Sequence, residues 1–152
     1  MAKRTKRSYR HYGLTVYEFD DGTEWVVGDD GDKSRDARGR TRVDRAARRV
    51  VINDLWAFRT EFIAAFLTSR VKHFARTRES DIIAMLKPAQ EKLCEDAGPI
   101  VRALLGRSLS KFVDEALRAD GRGRFLSSYD GEERDSDDVP GLPRGKVAFR
   151  LN

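Results

Sequence analysis

The sequence predicts an α+β fold: an antiparallel sheet from an N-terminal hairpin and C-terminal strands, packed on a central bundle of three to four helices. Three observations predict it. β-Branched and aromatic residues are dense on both sides of a turn near the start. Apolar residues then recur at helical spacing through the middle. Strand alternation returns over residues 146–151. Strands at both ends of a helical middle commonly pair into one sheet. A chain of 152 residues can bury a core of its own, so residues 13–152 read as a single domain behind a basic arm.

Residues 1–12 read as a disordered arm. Leu14-Thr15-Val16-Tyr17-Glu18-Phe19 reads as the first strand, Asp20-Asp21-Gly22-Thr23 as a turn, and Glu24-Trp25-Val26-Val27 as the returning strand. A polar, glycine-containing loop over residues 28–39 follows. From Thr41 a long helix is expected, because Val43, Ala47, Val51, Leu55, Phe58, Phe62 and Phe66 recur every three or four residues. Arg42, Arg45 and Arg49 fall as a stripe on its other side. Ile52, Trp56, Ile63 and Leu67 also lie near that side, so the second half is apolar all round. Such an element is either central in the fold or part of an oligomer interface.

Beyond a cationic connection, Ser80 reads as the cap of a helix that runs to about Asp96 and is kinked or broken near Lys87 by Pro88. Pro99 starts another helix and Gly106 stops it. Ser108 or Ser110 caps a last one, with Phe112, Val113, Ala116 and Leu117 inward and Gly121 at its end. Residues 124–129 and 146–151 read as the closing strands. The segment 130–138 carries six acids and one arginine and reads as an exposed, mobile loop.

The charge is unevenly placed. The first ten residues hold Lys3, Arg4, Lys6, Arg7 and Arg10 and no acid. Residues 33–49 hold eight cations against Asp36 and Asp44. Together these segments are net +11 in a chain of net +5, so the remainder is net −6. Local basicity of this kind suits a surface that meets a polyanion, since Lys and Arg bind phosphates by releasing counterions. Tyr9, His11 and Tyr12 interleave the arm and suit stacking on unpaired bases. The bland reading of the same residues is a solvated tail and a solvated helix face.

Catalytic signals are lacking. The two histidines, His11 and His73, have no Ser–His–Asp or Cys–His setting, so no catalytic residue is assigned and no enzyme is expected. The single cysteine, Cys94, excludes an internal disulfide and reads as a small buried apolar residue. Asp29-Asp30-Gly31-Asp32 lacks the spacing of a calcium loop, and Gly121-Arg122-Gly123-Arg124 is no phosphate-cradling loop. No metal or cofactor is assigned. No apolar run approaches the roughly 20 residues that span a bilayer, and the basic start leads into no apolar leader segment. A cytoplasmic location without membrane contact is the expectation.

Residues 17–28, residues 120–133 and the helix segment Asn53-Asp54-Leu55-Trp56-Ala57-Phe58 resemble small uncharacterised proteins of bacteriophages and plasmids, which also end in a strand followed by Asn. The resemblance implies a mobile-element setting and a location in the host-cell cytoplasm or the virion. It carries no biochemical role. The basic arm and the arginine-rich stretch depart from that pattern.

Three functions are expected to compete. The first is an accessory protein that binds nucleic acid, or a host complex handling nucleic acid, through Lys3, Arg4, Lys6, Arg7, Arg10, Arg42, Arg45 and Arg49. The second is an inhibitor of a host defence or transcription complex, comparable with anti-CRISPR proteins, with Trp56, Ile63, Asp130, Glu132 and Glu133 as interface candidates. The third is a virion component. Self-association through the long apolar helix is compatible with each.

Overall fold

The fold is α+β, as the sequence predicts. The computed structural model describes residues 5–92 and 96–152, and of residues 5–10 the backbone alone. Cys94 therefore lies outside the described residues. The strands are β1 (Thr5–His11), β2 (Leu14–Phe19), β3 (Glu24–Gly28), β4 (Arg134–Asp135) and β5 (Val147–Arg150). The helices are α1 (Arg42–Asn53), α2 (Thr60–Arg70), α3 (Glu79–Glu91), α4 (Ala97–Leu105), α5 (Leu109–Asp120) and α6 (Arg122–Leu126). Contacts divide the chain into two compact units, Met1–Val50 with Leu117–Asn152, and Val51–Ala116.

The first unit is built on an antiparallel sheet in the order β1-β2-β3-β5-β4. The predicted hairpin forms with Val16 opposite Val26 and Tyr17 opposite Trp25. Its turn is held locally. Gly22 takes φ 86°, and the Asp21 carboxylate accepts from both the Thr23 N–H (3.0 Å) and the Thr23 hydroxyl (2.7 Å). Asn152 ties the turn down further, donating to the Gly22 carbonyl and accepting from the Glu24 N–H. Side-chain alternation sorts the two faces. Leu14, Val16, Val26 and Phe149 pack on Val43, Ala46, Ala47 and Val50 of α1 and on Leu126 of α6. Phe19, Trp25, Val27 and Ala148 pack instead under Leu142.

Three expectations fail in this unit. Residues 5–11 are not a disordered arm: they form the edge strand β1, paired to β2 from Thr5↔Phe19 to His11↔Leu14. Pairing satisfies the row of backbone groups that β2 would otherwise present. The connection is a two-residue turn, Tyr12 at φ 52° and Gly13 at φ 82°, the left-handed geometry that tight hairpins require. Residues 124–129 are not a strand. Arg122–Leu126 is a short helix, and the fourth partner in the sheet is Arg134–Asp135, with Arg134 opposite Ala148. The acidic segment is not a free loop. Ser136 is fully buried, its backbone N–H donates to the Lys146 carbonyl and its hydroxyl accepts from the Lys146 N–H.

Gly123 explains the helix. A Cβ there would lie 2.3 Å from the Gly131 carbonyl oxygen and 3.0 Å from the Glu133 nitrogen. Only a bare backbone fits that approach. Gly123→Ala is expected to destabilise the protein by about 1–3 kcal/mol, since backbone must move. Urea midpoints of the variant and wild type check this, and an unchanged midpoint rejects it.

The second unit packs α2, α3, α4 and α5 around Leu55, Ile63, Phe66, Leu67, Ile82, Leu86, Leu105 and Phe112. The long helix expected from Thr41 is interrupted. α1 ends at Asn53, a 3-10 turn covers Leu55–Ala57, and Phe58 and Arg59 are extended before α2 begins. Asn53-Asp54 favour side-chain competition with the helix backbone. The spacing of three between Leu55 and Phe58 lets the apolar series continue across the break. As a result α2 has two faces: Ile63, Ala64, Phe66 and Leu67 are buried, while Phe62 is 37% exposed. Phe62 is thus not a core residue, and the apolar surface that suggested self-association is mostly consumed within this unit. Pro88 sits in α3, which continues to Glu91. The inward residues of α5 include Phe112, Val113 and Ala116, as expected.

Candidate nucleic-acid interface

The start of α1 is set by a reciprocal cap. The Thr41 hydroxyl accepts from the Asp44 N–H at 3.1 Å, and the Asp44 carboxylate accepts from the Thr41 N–H at 2.9 Å. The helix then buries Val43, Ala46, Ala47 and Val50 and turns Arg42, Arg45 and Arg49 to another side. Arg45 is half-buried and anchored: its guanidinium donates to the Ser34 carbonyl (3.1 Å) and the Arg40 carbonyl (2.7 Å), with Asp36 3.9 Å away. Arg42 and Arg49 are exposed and have no ion pair among the described residues.

The tight turn after β1 meets this stripe. Tyr12, Gly13, Arg42, Arg45 and Arg49 line one open hollow of about 270 Å³. Three guanidiniums beside a tight turn make an anion-attracting concavity. Sequence reasoning singled out the arginines but not the turn. A Tyr-Gly pair between two strand patterns was the available signal, hidden because the first pattern is so basic.

The other predicted positions are dispersed. Lys3 and Arg4 lie outside the described residues. Lys6, Arg7 and Arg10 are on β1, where only the backbone is described, with Arg7 opposite Glu18 and Arg10 opposite Thr15. Trp56 is 39% exposed. Ile63 is fully buried in the second unit's core, so it offers no surface. Glu132 is exposed. Asp130 is occupied: it pairs with Arg134 and accepts from the Ser127 hydroxyl and the Glu132 N–H. The Arg134 hydrogen bond, with the Glu132 N–H, holds its carboxyl well below the usual range.

Glu133 belongs to a network that the sequence did not disclose. The Arg122 guanidinium pairs with Asp30 (2.9 Å), Asp44 (2.9 Å) and Glu133 (2.8 Å). Burial opposes the charges of Asp30 and Arg122. Their mutual hydrogen bonds prevail, holding the Asp30 carboxyl below its ordinary value and raising the Arg122 guanidinium still higher. These acids are therefore internal counter-charges for Arg122, and the same cluster clamps the loop after β3 to α1 and α6. Among the described residues no group of three acid, histidine or cysteine side chains is arranged to hold a metal ion. Among them, too, no helix is long and apolar enough to cross a membrane.

No family model matches this chain, and no curated protein or solved structure does either.

Proposed function

We propose that this protein binds nucleic acid, or a complex that handles it, as an accessory protein of a phage-type mobile element in the host cytoplasm. One observation carries the reading: two exposed arginines with no ion pair among the described residues, Arg42 and Arg49, share a hollow with Arg45 and the Tyr12–Gly13 turn. Phosphate contact explains why exposed cations should gather there. No groove-reading motif accompanies them, so binding is expected to be independent of base sequence.

Paired substitution of Arg42 and Arg49 by Gln tests it. Fluorescence anisotropy on unrelated oligonucleotides should show weaker binding on all of them. The slope of log affinity against log salt should flatten by about 0.7–0.9 per lost phosphate contact. Point substitutions are the proper test, because deleting the basic arm would remove β1 from the sheet. Wild-type protein that fails to bind at low salt would refute the proposal. That result would favour a blocking factor for a host defence or transcription complex, whose surface would include the exposed Trp56, Met85 and Ile100. Recovery in purified particles would favour a virion component.

A further inference from the structure

Arg42 forms part of two hollows. The first is the arginine hollow. The second, of about 110 Å³, includes Gly13, Thr15, Tyr17, Asp29 and Lys146 in its wall. Strand register explains the meeting of residues so far apart in sequence. Thr15 stands opposite Val27 and Gly28 opposite Val147, so the start of β2, the end of β3 and the start of β5 share one end of the sheet. Lys146 immediately precedes β5. Its backbone is pinned on both sides by Ser136, which fixes where the side chain departs. Lys146 has no ion pair among the described residues. One acid, Asp29, shares the hollow, with its carboxylate held by the Gly31 N–H at 2.9 Å.

We infer that a single nucleic-acid strand runs from the arginine hollow past Arg42 onto the end of the sheet, where Lys146 holds a phosphate. This rests on the nucleic-acid reading above and extends it to a residue outside both basic segments. The cations Arg49, Arg45, Arg42 and Lys146 outnumber two acids beside this path, Asp29 in the second hollow and Asp36 at 3.9 Å from Arg45. The path leaves the flank of α1 at Arg42 and turns across the sheet end. A single strand bends at each phosphodiester and follows such a turn. A duplex, stiff over roughly 150 base pairs, does not. Tyr17, in the wall of the second hollow, supplies aromatic surface of the kind unpaired bases stack on.

The test compares Lys146→Gln, Lys146→Arg, Arg42→Gln and, as a control, Lys111→Gln, an exposed lysine of the second unit. The probes are a single-stranded oligonucleotide of mixed sequence and the corresponding duplex, each titrated at several salt concentrations. On the single strand, Lys146→Gln should flatten the salt slope by about 0.7, the value of one lost contact. Lys146→Arg should restore the slope, and Lys111→Gln should leave it at the wild-type value. The duplex slope should be insensitive to Lys146. A wild-type slope for Lys146→Gln, with a flattened one for Arg42→Gln, would overturn the inference while sparing the arginine site. Equal effects of Lys146→Gln and Lys111→Gln would reduce it to net charge and overturn it. A duplex slope that falls with Lys146→Gln would overturn the single-strand path. Wild-type protein that binds neither probe would overturn the nucleic-acid reading itself.

Discussion

Phe112→Ala is expected to cost about 3–5 kcal/mol, the loss typical of truncating a fully buried aromatic ring. Phe112 has no exposed surface. Its ring meets Phe58, Phe62 and Phe66 edge-to-face, with centroids 5.1, 5.5 and 5.3 Å away. Truncation removes the hub of this cluster, so the neighbouring rings cannot close the space without leaving their own packing. Phe62→Ala makes the contrast. That ring is 37% exposed, so about 1–2 kcal/mol is expected. Urea denaturation followed by circular dichroism separates the two. A loss under 1 kcal/mol for Phe112→Ala would mean that the ring cluster is not the core of the second unit.

Arg122→Met should have the next largest effect, about 2 kcal/mol near neutral pH. Removing one partner of a fully buried ion pair costs about 3–5 kcal/mol. Here the Arg122 side chain is 20% exposed and its three carboxylates are 31–39% exposed, so solvent screening lowers the expectation. The variant leaves Asp30, Asp44 and Glu133 without the cation they share. A pH dependence follows from Asp30. Its folded carboxyl is held below its ordinary value, so the stabilisation is complete above the unfolded value of about 3.9 and is lost as pH falls through the lower, folded value. Wild type and variant should therefore converge in acid, and their separation should be widest near neutrality. Denaturant midpoints measured from about pH 1.5 to pH 7 would show this. A constant separation across that range would mean that Arg122 acts through packing and not through charge.

Much of the architecture was legible because it rests on local chemistry. The hairpin around Gly22 follows from β-branched and aromatic runs that meet at a residue free to take positive φ. Gly106 and Gly121 end α4 and α5 where glycine was expected to stop them. The inward face of α5 follows from its period. Each of these signals lies within a few residues of the structure it produces. The failures share the opposite character. Residues 5–11 look like a solvated tail until the open edge of β2 is present to pair with them. Arg124-Phe125-Leu126 has strand composition, but the approach of Gly123 to Gly131 selects a compact helical turn. The apolar series from Val43 to Phe66 obeys helical spacing, yet Asn53-Asp54 break the helix within it.

The candidate site divides in the same way. The sequence alone placed Arg42, Arg45 and Arg49 on one side of a helix, because a period of 3.6 residues requires it. It also marked Lys3, Arg4, Lys6, Arg7 and Arg10 as an unusual concentration of charge. Only the tertiary structure decided which cations are free and which are spent. Arg45 is partly engaged by the Ser34 and Arg40 carbonyls, Arg122 is committed to three acids, and Lys146 reaches a hollow shared with Arg42, more than 100 residues away in the chain. The physical reason is that a charge acts on whatever lies within a few ångströms of it. Strand register and helix packing set those neighbours, and no window of sequence contains them.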